Sequence, residues 1–126
     1  MLAINLPEVI SQVRLAFETY EKNLTENNVD ALINSFWRHP NAVRFGANEN
    51  LYGWQEILNF RQQRTPPAQR ELMHTIITTY GDEYANVSTE FKNAKGEVGR
   101  QMQSWIRTQE GWRIAAAHIS LLPASK

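Results

Sequence analysis

The sequence has no cysteine. That excludes disulfides, thiolate metal sites, iron–sulfur clusters and cysteine nucleophiles. It also lacks an excess of charge of either sign: thirteen Lys and Arg balance thirteen Asp and Glu, for a formal net charge of 0. A non-specific grip on nucleic acid or anionic lipid needs a basic excess, so neither partner is expected. No apolar run approaches the ~20 residues that cross a membrane. The segment Met1–Pro7 carries no Lys or Arg before its apolar residues, and Glu8 follows at once, so it does not read as a secretory signal. The expected compartment is the cytoplasm. Walker loops, G-x-G-x-x-G, G-x-S-x-G and H-E-x-x-H are all absent. His39, His74 and His118 lie far apart with no ligand pair, so no metal and no cofactor is expected. Aspartate is scarce as well: only Asp30 and Asp82 occur.

What is present is an ordinary globular composition. The 126 residues are 42% hydrophobic and 21% charged, which fits one domain over residues 1–126. Nine of the thirteen basic residues are Arg. Arg is the better fork for carboxylates, so this choice favours oxyanion binding or interface pairing.

The hydrophobic period changes once, near the middle. Ile10, Val13, Phe17, Tyr20 and Leu24 form a single stripe of one helix, with Pro7 in its first turn. Asn27-Asn28 breaks that helix and caps a second, with Val29, Leu32, Ile33 and Phe36 on one face. His39-Pro40 ends it. Asn41–Phe45 reads as a short strand and Gly46 to Gly53 as a loop. Trp54, Ile57, Leu58 and Arg61 make a third helix, stopped by Thr65-Pro66-Pro67. Four segments then read as strands joined by short turns: Glu71–Tyr80, Tyr84–Phe91, Val98–Thr108 and Trp112–Leu122. Such strands form an antiparallel meander. Helices first and strands second is the α+β order. A strongly curved sheet around a long helix closes a cone with one open mouth.

The candidate functional residues are polar groups inside apolar elements. Arg44 lies between Val43 and Phe45: either an exposed arginine on an edge strand, or a cation anchoring an anionic substrate at the mouth. Tyr20 lies on the apolar stripe: either a core tyrosine with a backbone partner, or a proton donor facing the cavity. Strand alternation puts Ile114, Ala116, His118 and Ser120 on one face, where the small neighbours leave room beside the histidine as a pocket would, or where it is a satisfied core histidine. Alternation also groups Gln101, Gln103 and Trp105 against Arg100, Met102, Ser104 and Ile106; two glutamines beside a tryptophan either line a polar cavity or decorate an exterior interface. Arg61 and Arg64 sit where a helix dipole favours cations, which accounts for them without a function. Trp54 and Trp112 fill core or interface most simply. The expected cavity is lined by Tyr20, Arg44, Gln101, Gln103 and His118. Met102 and Ile106 would lie outside it, an exposed apolar face suited to a homodimer.

These residues carry a resemblance. The element order, with Gly111-Trp112-Arg113-Ile114 and Ala117-His118-Ile119-Ser120 at the end, resembles the nuclear transport factor 2-like cone, the fold of SnoaL-type cyclases. Val43-Arg44-Phe45-Gly46, Glu49-Asn50-Leu51-Tyr52-Gly53, Phe60-Arg61 and Gly99-Arg100-Gln101-Met102-Gln103-Ser104-Trp105 resemble the AtzH-like family, which includes an oxalurate catabolism protein. That resemblance implies an α+β cone with N-terminal helices packed in a curved, mostly antiparallel sheet. It implies hydrolysis of a carboxylated urea, such as dicarboxyurea to allophanate, beside an amidase of nitrogen-compound catabolism. It points to Tyr20 and Arg44 as the catalytic pair. The expected substrate-binding residues are Gln101, Gln103, His118, Tyr52, Arg61 and Trp105.

A phenol alone is a weak base at neutral pH, so Tyr20 needs a nearby cation, and Arg44 is the candidate. Two further readings stay open. One is a non-catalytic ligand-binding or accessory protein of an amidase system. The other is a lyase or isomerase, which needs an Asp or His base facing the cavity.

Overall fold

The computed structural model describes residues 2–63 and 69–124. Helix α1 (Pro7–Thr25) starts with proline in its first turn and buries Val9, Val13, Phe17, Tyr20, Glu21 and Leu24. This is the expected stripe, except that Val9 takes the buried place at its start and Ile10 is half-buried. The chain leaves α1 through Asn27, at φ +52°, a conformation that asparagine tolerates. The Asn28 side chain accepts from Ala31 N at 3.4 Å and caps α2 (Val29–Asn34).

Helix α2 ends well before His39-Pro40. Ser35 O accepts from Ile114 N at 2.8 Å, and Trp37 N donates to Ile114 O at 2.9 Å. The extended segment around Phe36 thereby bridges to the last strand, and those bonds displace the helix that the sequence period continued. The expected loop between Gly46 and Gly53 contains a strand. β1 (Val43–Phe45) and β2 (Asn50–Tyr52) pair antiparallel as a short hairpin. Three residues are too few for a period to show. Helix α3 (Trp54–Gln63) follows; the expected stop at Thr65-Pro66-Pro67 lies outside the described residues.

Strands β3 (Glu71–Tyr80), β4 (Tyr84–Lys92), β5 (Val98–Thr108) and β6 (Gly111–Leu121) form the expected antiparallel meander. The six-stranded order is β2-β1-β6-β5-β4-β3, with β1 parallel to β6. The result is the α+β cone: helices against one face of a curved, mixed sheet. Val13, Phe17, Leu32, Ile57, Val87, Trp105 and Ile114 belong to one buried apolar cluster between them. No helix among the described residues is long and apolar enough to cross a membrane.

One irregularity decides which way β6 points. Trp105 pairs with Ile114, but Ser104 pairs with Ala116, so Ala115 is an extra residue. A bulge of this kind shifts the alternation by one. Trp112 and Ile114 face the core; beyond the bulge Ala117 takes that face and His118 is exposed. The expected face of Ile114, Ala116, His118 and Ser120 is therefore broken in two. On β5 the alternation is unbroken: Gln101, Gln103 and Trp105 are buried.

Candidate functional site

Three arginines, from β1, from α3 and from the segment before β3, converge at the mouth of the cone. Arg44 is the inward residue of β1, between Val43 and Phe45, and is only 4% exposed. It does not lie on an edge, because β1 is flanked by β2 and β6. Its register partner on β6 is Ala117, which is small enough to leave room for a guanidinium. Arg44 Nη1 donates to Glu49 Oε1 at 2.7 Å. Its guanidinium also lies 5.4 Å from the Phe60 ring centroid. Glu49 is placed by the turn of the β1–β2 hairpin, where Gly46 N donates to Glu49 O at 2.9 Å.

Arg61, in the last turn of α3, is buried and donates through Nη2 to Tyr20 Oη at 3.2 Å. Its guanidinium also lies near Phe60, at 5.9 Å. Arg61 and Arg44 thus share one aromatic support. The Tyr20 ring is fixed edge-on by Phe36 and Trp105. Because Tyr20 Oη accepts from Arg61, its own O–H remains available as a donor.

Arg70 precedes β3. It holds Glu21 through two contacts, Nη2 to Oε1 at 2.6 Å and Nε to Oε2 at 3.2 Å. Nη2 also reaches Gln101 Oε1 at 3.1 Å. The Arg70 guanidinium lies 4.5 Å from the Phe91 ring centroid. Phe91 in turn lies across Gly99, where a Cβ would fall 2.2 Å from the ring. The glycine is thus the floor that lets the ring support the arginine.

These groups surround a cavity of about 350 Å³, the size for a small molecule. Its described lining includes Tyr20, Arg44, Glu49, Arg61, Arg70 and Ile119. Lys95 and Glu97 also line it, so among the described lining residues four cationic side chains face two carboxylates, with Glu21 paired to Arg70 behind them. The balance suits an anion.

Of the residues singled out from sequence, Tyr20, Arg44 and Arg61 meet in this cavity. Gln101 is buried behind it and touches it through Arg70; its Nε2 donates to Glu21 Oε1 at 3.3 Å. Gln103 and Trp105 are core residues. Trp105 Nε1 donates to Gln103 Oε1 at 3.0 Å, while Gln103 Nε2 is buried without a partner among the described residues.

Gln103 and Trp105, expected to bind substrate, thus lie in the core and not in the cavity lining, and two further expectations are corrected. His118 stands on the outer face, exposed, with its ring edge-on to Phe45 at 5.8 Å. The bulge at Ala115 put it there, opposite to Arg44. Tyr52 is 58% exposed on the same outer face, also against Phe45. Register explains this, since Tyr52 pairs with outward Val43, and Leu51 with inward Arg44. Arg64 lies outside the described residues. Sequence reasoning missed Glu21 and Arg70, and gave Glu49 no role at this site. Nothing in the sequence separates Arg70 from the other arginines, whereas Glu21 sits beside Tyr20 on the buried flank of α1. Among the described residues no cluster of three or more His, Asp or Glu could hold a metal.

Comparison with known proteins places this site in a family. The model of the AtzH-like family matches residues 2–125. A crystal structure of a DUF3225-family protein of unknown function from Pectobacterium atrosepticum SCRI1043 is 48% identical over 95% of each chain, with a TM-score of 0.92. A cystatin-like fold protein from Burkholderia xenovorans LB400 is 40% identical. It covers 99% of this chain and 100% of its own, with a TM-score of 0.94. An NTF2-like protein from Pseudomonas putida KT2440, at 15% identity and a TM-score of 0.78 over 95% of this chain and 90% of its own, shares the fold alone. No curated protein matches the sequence.

Proposed function

Given that the chain belongs to the AtzH-like family, we propose that it is a small hydrolase acting on a carboxylated urea or related ureido acid. The observation that carries this reading is that Tyr20 and Arg44, far apart in sequence, line one cavity in which arginines predominate. A dianionic ureido acid needs fixed cations at its carboxylates, and planar guanidinium forks fit carboxylates best.

For dicarboxyurea the reaction balances as dicarboxyurea dianion plus water giving allophanate plus bicarbonate. Water adds to a terminal carboxyl carbon, and the C–N bond to that carbon breaks. Tyr20 passes its hydroxyl proton to the departing nitrogen and regains one from the attacking water. Arg61, already donating to Tyr20 Oη, holds that oxygen through the exchange. Arg44 holds a carboxylate.

One observation favours a second reading, a ligand-binding or accessory protein of an amidase system. No histidine or aspartate lies among the described lining residues, and Glu49 is already tied to Arg44. The other described lining carboxylate, Glu97, accepts from Asn93 Nδ2 at 3.0 Å, so neither carboxylate of the described lining stands free as a general base for water. The lyase reading needs such a base too, and His118, its one candidate, faces outward. The exposed outer face, with Met102, Ile76 and Tyr52, is proposed as the surface of a homodimer.

The test is turnover of dicarboxyurea generated beside an amidase, with allophanate and bicarbonate as readouts. Tyr20→Phe should lower kcat by roughly a hundredfold or more, the usual worth of a positioned proton donor. Ligand affinity should change only a few-fold, because the lost interaction acts in the transition state. Unchanged turnover would remove the tyrosine from the mechanism. Binding of ureido acids by the wild type without turnover would establish the accessory reading instead.

A further inference from the structure

The three arginines of the cavity are not held alike. Arg70 is gripped by both oxygens of Glu21, and the two side chains are 9% and 11% exposed. Gln101 adds a third contact. Arg61 is tied to Tyr20. Arg44 is held differently. Its charged partner among the described residues, Glu49, touches it through a single atom pair, and the Glu49 side chain is 21% exposed at the tip of a hairpin turn. Arg44 Nε is buried and has no hydrogen-bond partner among the described residues. The guanidinium is fixed by its strand, but the carboxylate opposite it is not.

Gly46 shows how closely that carboxylate is seated. A Cβ at Gly46 would fall 1.7 Å from Glu49 Oε1 and 3.0 Å from Arg44 Nη1. The carboxylate therefore occupies the space a side chain would take. Any residue but glycine at this position would push Glu49 off Arg44.

We propose that Glu49 is a resident surrogate ligand: its carboxylate fills the carboxylate place on Arg44 and is exchanged for that of the incoming anion. The proposal rests on the carboxylate-binding reading of the cavity and adds a residue that sets its selectivity. Two carboxylates side by side on one largely buried cation repel, so the second enters only as the first leaves. Glu49 can leave because it is partly exposed and sits on a turn. The exchange keeps Arg44 charge-paired in the empty protein, where an unpaired buried guanidinium would be costly. It also sets a threshold. A ligand must outbid Glu49, which a ureido acid touching further arginines does and a simple carboxylate such as acetate does not.

The experiment is calorimetric titration of the full chain with hydantoate, a stable ureido acid, in wild type, Glu49→Gln, Gly46→Ala and Arg44→Ala. Glu49→Gln removes the competing charge, and Gly46→Ala displaces it sterically. Both should tighten hydantoate binding by about tenfold, the worth of one charge-assisted hydrogen bond no longer broken. Arg44→Ala should abolish binding. Unchanged or weaker binding in Glu49→Gln, with binding still lost in Arg44→Ala, overturns the exchange and leaves the carboxylate site standing. Absence of binding in every variant overturns both. Should Gly46→Ala fail to fold, the glutamine variant alone decides.

Discussion

Arg70 Nη2 and Glu21 Oε1 lie 2.6 Å apart, joining the start of β3 to the buried flank of α1 one residue beyond Tyr20. The pair does more than neutralise two charges. It fixes one wall of the cavity to the helix that carries the tyrosine. Removing one partner of a pair this buried leaves the other uncompensated, which costs ~3 kcal/mol or more. Glu21→Met and Arg70→Met should each lose about that much in urea unfolding, and the double variant clearly less than their sum. Simple additivity would mean that the two side chains do not act as a pair.

His118→Ala should leave hydantoate affinity unchanged within about twofold, because the ring stands on the outer face against Phe45. Isothermal titration checks this directly. A loss of tenfold or more would place the histidine in the site despite its exposure, through motion of β6.

The contrast between Gln101 and His118 shows how far sequence reading reaches. On β5 simple alternation put Gln101, Gln103 and Trp105 on one face, and all three are buried on it, although none of them is in the cavity lining. On β6 the same rule gave His118 the wrong face, because one extra residue leaves no mark in a run of alanines. The stripe on α1 was legible because 19 residues of helix repeat its period many times. The β1–β2 hairpin was not, since its strands have three residues each. Arg44 was legible as a polar residue between apolar ones. Arg70 was not, because its burial depends on Glu21 and Gln101, 49 and 31 positions away.

The bulge itself is testable. Deleting Ala115 joins Ile114 to Ala116 and makes the β5–β6 ladder regular, so Ala117 stays inward and His118 outward. What is lost is the local bend and added twist of the bulge. The expected cost is roughly 1–3 kcal/mol in urea unfolding, from packing that no longer fits the altered curvature, with His118 still exposed. Ala115→Gly keeps the extra residue and should cost ~1 kcal/mol or less. A deletion variant in which His118 becomes buried would show that β6 shifts its pairing rather than losing its bulge.

Arg44→Lys separates charge from shape at the centre of the site. Both side chains carry one positive charge, so the long-range pull on an anion is unchanged. The ammonium can also still pair with Glu49, which keeps both charges compensated. Stability should therefore fall by only ~1 kcal/mol, chiefly from lost contact with Phe60 and a shorter reach. Binding is another matter. A guanidinium offers a planar pair of donors to one carboxylate, whereas an ammonium offers a point charge that must choose an angle. Losing one charge-assisted hydrogen bond is worth roughly 1.5–3 kcal/mol, or about one to two decades in affinity. Hydantoate should then bind ten- to a hundredfold more weakly to a protein whose melting temperature has barely moved. Equal affinity in the lysine variant would mean that the field of the remaining cations draws the anion in, and that Arg44 does not hold its carboxylate.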